Sequence, residues 1–243
     1  MNIAIIGLGT QGIKRLKLLK GHSIITVDPV NKKADYKRIN DIPKNIYNAA
    51  FICTPDNKKL DIINYCIKYS KHILVEKPLY FKDEKILKNI NNKIKEKKIV
   101  LYVAYNHRFE PNLIKIKKYI DKNVLGKIYF CKIFYGNGTA RLVKNSPWRD
   151  EGDGVLSDLG SHLIDLIFFL FNDHKIKFRK VSFSKFENNS NDNVFIISDN
   201  TKIKFFLDMS LTSWKNNFNF EIVGEKGSIH INGLCKWSDS ILY

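Results

Sequence analysis

The chain has 243 residues, 44% of them hydrophobic, and a formal net charge of +17 at pH 7 from 41 Lys and Arg against 24 Asp and Glu. That content suits a globular protein long enough for two modest domains, and no apolar run approaches the ~20 residues of a membrane-spanning helix. The lysines are spread along the whole length without an aromatic–basic recognition motif. Specific nucleic-acid binding is therefore not expected, although the surface field should attract small anions. Four scattered cysteines (Cys53, Cys66, Cys131, Cys235) form no C-x-x-C pair, which points to free thiols and a reducing cytoplasm.

The N-terminus reads as a core strand rather than a leader. Ile3 to Ile6 is an apolar run of the kind a strand buried on both faces needs. Gly7, Gly9 and Gly12 complete G-x-G-x-x-G around Thr10 and Gln11, and a helical pattern opens at once with Ile13, Leu16, Leu18 and Leu19. In a dinucleotide site the first glycine makes a tight turn and the second lets backbone approach a pyrophosphate. The third lets helix and strand pack closely, and the helix start offers N–H groups to the phosphates. A second strand, Ser23–Val27, ends in Asp28. A carboxylate there accepts from ribose hydroxyls and repels a 2′-phosphate, so NAD is expected over NADP.

After a lysine-rich stretch, Asn31–Lys44, expected as a surface connection, the elements alternate. Asn48–Cys53 is a strand closed by Thr54-Pro55, and Asp56–Tyr69 a helix with Leu60, Ile63, Cys66 and Ile67 on one face. His72–Val75 is a strand ending at Glu76-Lys77-Pro78. Asp83–Lys97 is an amphipathic helix, and Ile99–Ala104 a strand running into Tyr105-Asn106-His107-Arg108-Phe109. Such alternation predicts a doubly wound parallel sheet over residues 1–108. Right-handed crossovers bring the strand C-termini to one rim, where such sheets bind ligands. Thr54, Pro55, Glu76 and Lys77 are expected at the cofactor there, and Asn106 and Arg108 at the substrate.

Residues 109–243 read differently, as an α+β domain with a mostly antiparallel sheet. Pro111–Asp121 is a short helix, Lys127–Tyr135 alternates as a strand, and Gly136–Asp153 is a polar loop carrying Arg141, Lys144, Trp148 and Arg149. Those cations with their tryptophan suit an anionic part of a substrate. Leu156–Phe171 is a strongly apolar helix, followed by strands at Ile176–Phe186, Val194–Ser198, Lys202–Met209, Asn217–Val223 and Ser228–Ile231. Asp158 and His162 lie four apart on the apolar helix and share a face. Polar groups there must find partners or line a cavity. A core histidine and a pair of metal ligands are the other readings of that pair, but no further His, Cys or carboxylate cluster completes a metal site.

The glycine turn, Thr54-Pro55, Ser70–Leu79 with its Glu76-Lys77-Pro78, Tyr105–Phe109 and Gly154–Asp165 stand in an order that resembles the Gfo/Idh/MocA oxidoreductase family along nearly the whole chain. The resemblance implies a Rossmann domain and a second α/β domain whose open sheet serves a homo-oligomer. It implies NAD(P)-dependent hydride transfer at a hydroxyl or carbonyl of a sugar, inositol or nucleotide sugar. A catalytically inactive NAD-binding sensor, or an imine or tetrapyrrole reductase, are alternatives on the same scaffold. Lys77 takes the position of the family's catalytic lysine, and Asp158 and His162 those of the substrate-side acid and base. An imidazole titrates near ~6.5 and a lysine near ~10.4, which favours His162 as the principal acid/base. Two departures stand out. Glu151-Gly152-Asp153-Gly154 replaces a glycine run, so the loop is expected to be reshaped, and family members usually extend further than Tyr243.

Overall fold

A computed structural model describes residues 1–243 apart from Lys82, Trp148, Asn200, Lys236 and Ser238. The chain divides into two compact units, Met1–Ala104 and Tyr105–Tyr243, so the boundary precedes the expected one and the turn after Ala104 belongs to the second unit.

In the first unit, β1 (Asn2–Ile6), α1 (Thr10–Leu18), β2 (Ser23–Val27), β3 (Ala49–Ile52), α2 (Asp56–Lys68), β4 (His72–Val75), α3 (Glu84–Lys97) and β5 (Leu101–Val103) follow in order. The five strands form one parallel sheet ordered β2-β1-β3-β4-β5. Its central strands are apolar on both faces, with Ile3, Ala4, Ile5 and Ile6 all buried, because helices must cover both sides of a parallel sheet. α3 starts where Asp83 accepts the Lys85 N–H and stops where Lys98 turns left-handed at φ 51°. The lysine-rich Asn31–Lys44 stretch is more than a surface connection. Tyr36 exchanges backbone hydrogen bonds with Thr26 and Asp28 along the edge of β2, and Ile42 is fully buried.

The second unit opens with a 3-10 turn, Asn106–Phe109, then α4 (Pro111–Asp121), β6 (Ile128–Gly136) and a short helix α5 (Ala140–Lys144). A π turn, Leu156–Gly160, leads into α6 (Ser161–Phe171), followed by β7 (Lys177–Ser184), β8 (Asn193–Asp199), β9 (Lys204–Ser210), β10 (Asn217–Gly224), β11 (Gly227–Asn232) and β12 (Ile241–Leu242). The seven-stranded sheet runs β12-β11-β10-β6-β9-β8-β7 and is antiparallel except for the β6–β9 pair. One face carries Cys131, Ile133, Phe205, Leu207, Phe218 and Phe220 into a core shared with α4 and α6. α5 lies inside the segment expected as a polar loop. Ala140 and Val143, three apart, turn the same way and are buried in that core. Among the described residues no helix is long and apolar enough to cross a membrane.

The connection between β7 and β8 is organised by two carboxylates. Asp192, fully buried, accepts from the N–H groups of Phe186, Glu187 and Asn188 at 3.0, 2.6 and 3.1 Å. Asp150 accepts from backbone and side chain of both Asn189 and Ser190. Burial raises the Asp192 carboxyl, but these donors outweigh it and hold its pKa below the ordinary range. Its stabilisation is therefore fully present above the unfolded value of about 3.9 and is lost as pH falls through the lowered folded value. We expect Asp192→Asn to lower stability at pH 7 by roughly 1–3 kcal/mol and to flatten the acid limb. Urea unfolding from pH 3 to 7 checks both, and an unchanged acid limb would contradict this account.

Candidate functional site

The C-terminal ends of the five parallel strands carry Gly7, Asp28, Cys53-Thr54, Glu76-Lys77 and Ala104. The connection from β1 leads to β2 on one side while β3 lies on the other, so the glycine turn stands at the topological switch point of the sheet. Gly7 has φ +93°, and a Cβ there would lie 2.7 Å from the Cys53 carbonyl oxygen. A Cβ at Gly12 would lie 1.9 Å from the Gly7 carbonyl oxygen. Gly9 differs, because a Cβ there would meet nothing within 4 Å. Its bareness serves no internal contact and leaves open space at the start of α1. Thr10 and Gln11 are exposed, and neither a side-chain cap nor an acidic residue occupies the first turn. The N–H groups and positive end of α1 thus face that space, which fits a dinucleotide pyrophosphate.

Asp28 lies at the expected strand end but is already engaged. Its Oδ2 accepts the Leu8 N–H at 2.8 Å, and its Oδ1 those of Val30 and Asn31 at 2.9 and 2.8 Å. Burial raises its pKa, but these donors, with Lys37, bring it below the ordinary carboxylate value. The charge is held beside the glycine turn, and one acceptor direction of Oδ2 remains for a ribose hydroxyl. Thr54 is half-buried and Pro55 exposed. The neighbouring Cys53 thiol is pushed up to about 12 by burial and by Glu76, so it stays protonated and is no nucleophile.

Glu76, expected at the cofactor, spends its carboxylate inside the unit. Arg15 of α1 donates to Oε1 through Nε at 2.9 Å and Nη2 at 2.7 Å. Lys77 follows, half-buried, with a cis peptide bond to Pro78. The turn also holds a residue the sequence reading did not single out. Lys59 of α2 is only 2% exposed. Its Nζ donates to the carbonyl oxygens of Glu76 and Pro78 at 2.6 and 2.8 Å and pairs with Asp56 at 2.6 Å. Burial lowers its pKa, and Asp56 opposes that. The signal was present: Lys59 falls on the helical stripe with Ile63, Cys66 and Ile67.

In the second unit, Asp158 lies in the π turn and His162 in the first turn of α6, so the α-helix begins later than the apolar pattern predicts. Gly160 marks the irregularity, since a Cβ there would meet Met209 Sδ at 2.6 Å. π turns are frequent at functional sites. The Glu151–Gly154 turn keeps left-handed glycines at 152 and 154, and a Cβ on Gly154 would lie 2.2 Å from the Asn191 carbonyl oxygen. His162 is 8% exposed, with its Nδ1 sealed from solvent. Its ring lies 4.4 Å from that of His107 and 5.7 and 6.4 Å from Tyr105 and Tyr135. Burial, followed by Asp158 and Glu110, raises the Tyr135 phenol, so it remains a neutral hydroxyl. His107 was expected at the rim only as part of the Tyr105–Arg108 stretch and without a role, and Tyr135 was not expected at the site.

The expected substrate residues are distributed unevenly. Arg149 Nη2 reaches Asp158 Oδ2 at 3.3 Å, with both side chains 34% exposed. Arg141 goes elsewhere, over the Trp214 ring at 5.1 Å and toward Glu187 at 4.0 Å, and Lys144 is exposed. Asn106 is exposed in the 3-10 turn, and Trp148 lies outside the described residues. Arg108, expected at the substrate, forms a two-pronged pair with buried Asp165 of α6, at 2.8 and 2.5 Å. Among the described residues no group of three or more His, Cys, Asp and Glu could hold a metal ion.

The Arg108 pair predicts a stability effect. Arg108→Ala leaves the Asp165 carboxylate buried without its guanidinium. Losing a partner to a fully buried charge costs ~3–5 kcal/mol, and the 30% exposure of the Arg108 side chain reduces the expected loss to about 2. Urea unfolding should show it. Unchanged stability with a raised substrate KM would return Arg108 to substrate binding.

Comparison with known proteins fits this architecture. Residues 113–230 match the GFO/IDH/MocA C-terminal domain. A levoglucosan dehydrogenase of Pseudarthrobacter phenanthrenivorans is 32% identical over 149 residues, 59% of this chain and 37% of that protein. A glucose-6-phosphate 3-dehydrogenase of Bacillus subtilis is 32% identical over 108 residues, 42% of this chain and 30% of its own. The chain thus matches about a third of the length of these curated relatives. An inositol dehydrogenase homologue from Azotobacter vinelandii, solved with NADH and myo-inositol, has the same fold, with a TM-score of 0.78 at 16% identity over 100% of this chain and 75% of that one. The glycine turn, the lysine–proline turn and the following domain run in one order along one chain, and residues 113–230 are a Gfo/Idh/MocA C-terminal domain.

Proposed function

We propose that the protein is an NAD-dependent oxidoreductase that transfers hydride between nicotinamide and a hydroxyl or carbonyl of a sugar or inositol. The observation that carries this reading is the glycine turn, where Gly7 and Gly12 are crowded by backbone while Gly9 faces open space at the start of α1. That arrangement suits a pyrophosphate and has no internal use. Relatives named as levoglucosan and glucose-6-phosphate dehydrogenases support the substrate class. Asp28 supports NAD over NADP, since its charge beside the turn opposes a 2′-phosphate. The formal charge of +17 favours an anionic, phosphate-bearing sugar. We place the protein in a reducing cytoplasm, on its free thiols, and as a homo-oligomer.

Oxidation of an alcohol sends the carbon-bound hydrogen with its electron pair to the nicotinamide and leaves the hydroxyl proton to a protein base. We assign that proton to His162. A buried imidazole flanked by His107, Tyr105 and Tyr135 is held in a fixed orientation, and an imidazole can both take and return a proton. Lys77 polarises the substrate oxygen. Asp158 binds a neighbouring hydroxyl, and the weak, half-exposed Arg149 contact can yield to that hydroxyl. NAD binding without turnover of any polyol would instead leave a cofactor-binding sensor.

Lys77→Ala and His162→Ala should each lower kcat by roughly 10²-fold or more with little change in NAD affinity. A sugar and inositol screen read by NADH fluorescence supplies the substrate, and full activity in both variants would refute the assignment. Asp28→Ala should narrow or reverse the preference for NAD over NADP in direct titrations. Tighter NADP binding by the wild type would remove Asp28 from that role.

A further inference from the structure

Lys59 carries a consequence beyond the cofactor turn itself. An ammonium loses much of its hydration when buried and persists there only when its donors are satisfied. Lys59 meets that condition with two neutral backbone carbonyls, Glu76 O and Pro78 O, and the largely exposed carboxylate of Asp56. Between the two accepting carbonyls lie Lys77 and the Cα of Pro78.

We propose that Lys59 is a positioning residue that fixes the direction of the Lys77 side chain by clamping the backbone just before Lys77 and just after Pro78; this rests on the reading of Lys77 as the residue that polarises the substrate oxygen. The Glu76 carbonyl belongs to the peptide plane entering Lys77. The Pro78 carbonyl belongs to the plane leaving the proline, whose ring fixes its own φ. Anchoring both planes to one ammonium leaves the Lys77 Cα–Cβ bond little freedom. Arg15 holds the Glu76 side chain from the other helix, so the turn is gripped from α1 by its side chain and from α2 by its backbone. Two carbonyl acceptors flanking the Lys77-Pro78 pair need a donor group with several protons, which an ammonium supplies and an apolar side chain does not.

The test uses the full chain with Lys59→Met, Lys59→Arg and Asp56→Asn. Four quantities are measured: kcat, KM for the polyol, NAD affinity, and amide hydrogen exchange of the peptide spanning Glu76 to Tyr80. Lys59→Met should lower kcat per folded molecule roughly tenfold or more while NAD affinity stays within about twofold, because misplacing a reacting group costs rate before binding. Exchange in the turn should rise. Lys59→Arg keeps donors for both carbonyls and should recover most of the loss, and Asp56→Asn should behave as wild type because it leaves the carbonyl clamp intact. Wild-type kcat per folded molecule and wild-type exchange in Lys59→Met, with only a lower unfolding midpoint, would overturn the inference. If Lys59→Met does not fold, Lys59→Gln, whose amide still reaches one carbonyl, takes its place, and the same two readings decide. A wild type that turns over no polyol condemns the proposed activity alone, since the exchange arm still reads the clamp.

Discussion

At the head of the parallel sheet, the α-carbon of Gly12 faces the carbonyl oxygen of Gly7 with no room for a side chain between them. That approach sets where α1 lies against β1, and the rest of the first unit's rim follows from it. With the helix so close, Arg15 reaches across to Glu76. The Leu8 N–H turns to Asp28, which ties the glycine turn to the end of β2. A methyl group at position 12 would push the helix outward and release both connections. The glycine turn is therefore a mechanical joint of the fold as well as a cradle, and its two roles cannot be separated by substitution at Gly7 or Gly12. Only Gly9, with open space around it, is spared for a ligand.

The same economy governs charge. Although the chain is strongly basic, Arg15 is spent on Glu76, Lys59 on two carbonyls and Asp56, and Arg108 on Asp165. Each pair holds one backbone segment to another element of its own unit, and the surrounding low polarity makes the loss of one partner costly. Geometry at the turns is set by these few buried or half-buried cations rather than by the many lysines at the surface.

Much of the fold was legible in the sequence. The buried strands at Ile3–Ile6 and His72–Val75, the stripes of α2 and α3 and the alternation of β6 each carry their period plainly, and periodicity is a local property. What the sequence hid is what depends on distant residues. Arg108 and Glu76 read as ligand groups because each stands at a strand or turn end, yet their partners lie 57 and 61 residues away. Lys59 was not singled out although it interrupts the apolar stripe of its helix. His107 stood beside a residue that was chosen, and only packing against His162 sets it apart. Ala140 and Val143 were too short a signal to lift a helix out of a polar loop.

The pairing of β6 with β9 has a bearing on how the polypeptide is made. β6 is the middle strand of its sheet, and both its neighbours, β9 and β10, come after Lys204 in the chain. The first unit is complete in sequence by Ala104 and can close while the remainder is still being synthesised. The second cannot, because its central strand waits unpaired while α6, apolar along nearly its whole length, has already emerged. At about 5–20 residues per second that interval lasts several seconds. A parallel pair with so long an intervening segment also closes slowly, since the loop entropy is lost before the contacts are gained. The nascent chain thus passes through a stage with one finished domain and one exposed apolar helix, the species on which holding chaperones and aggregation compete.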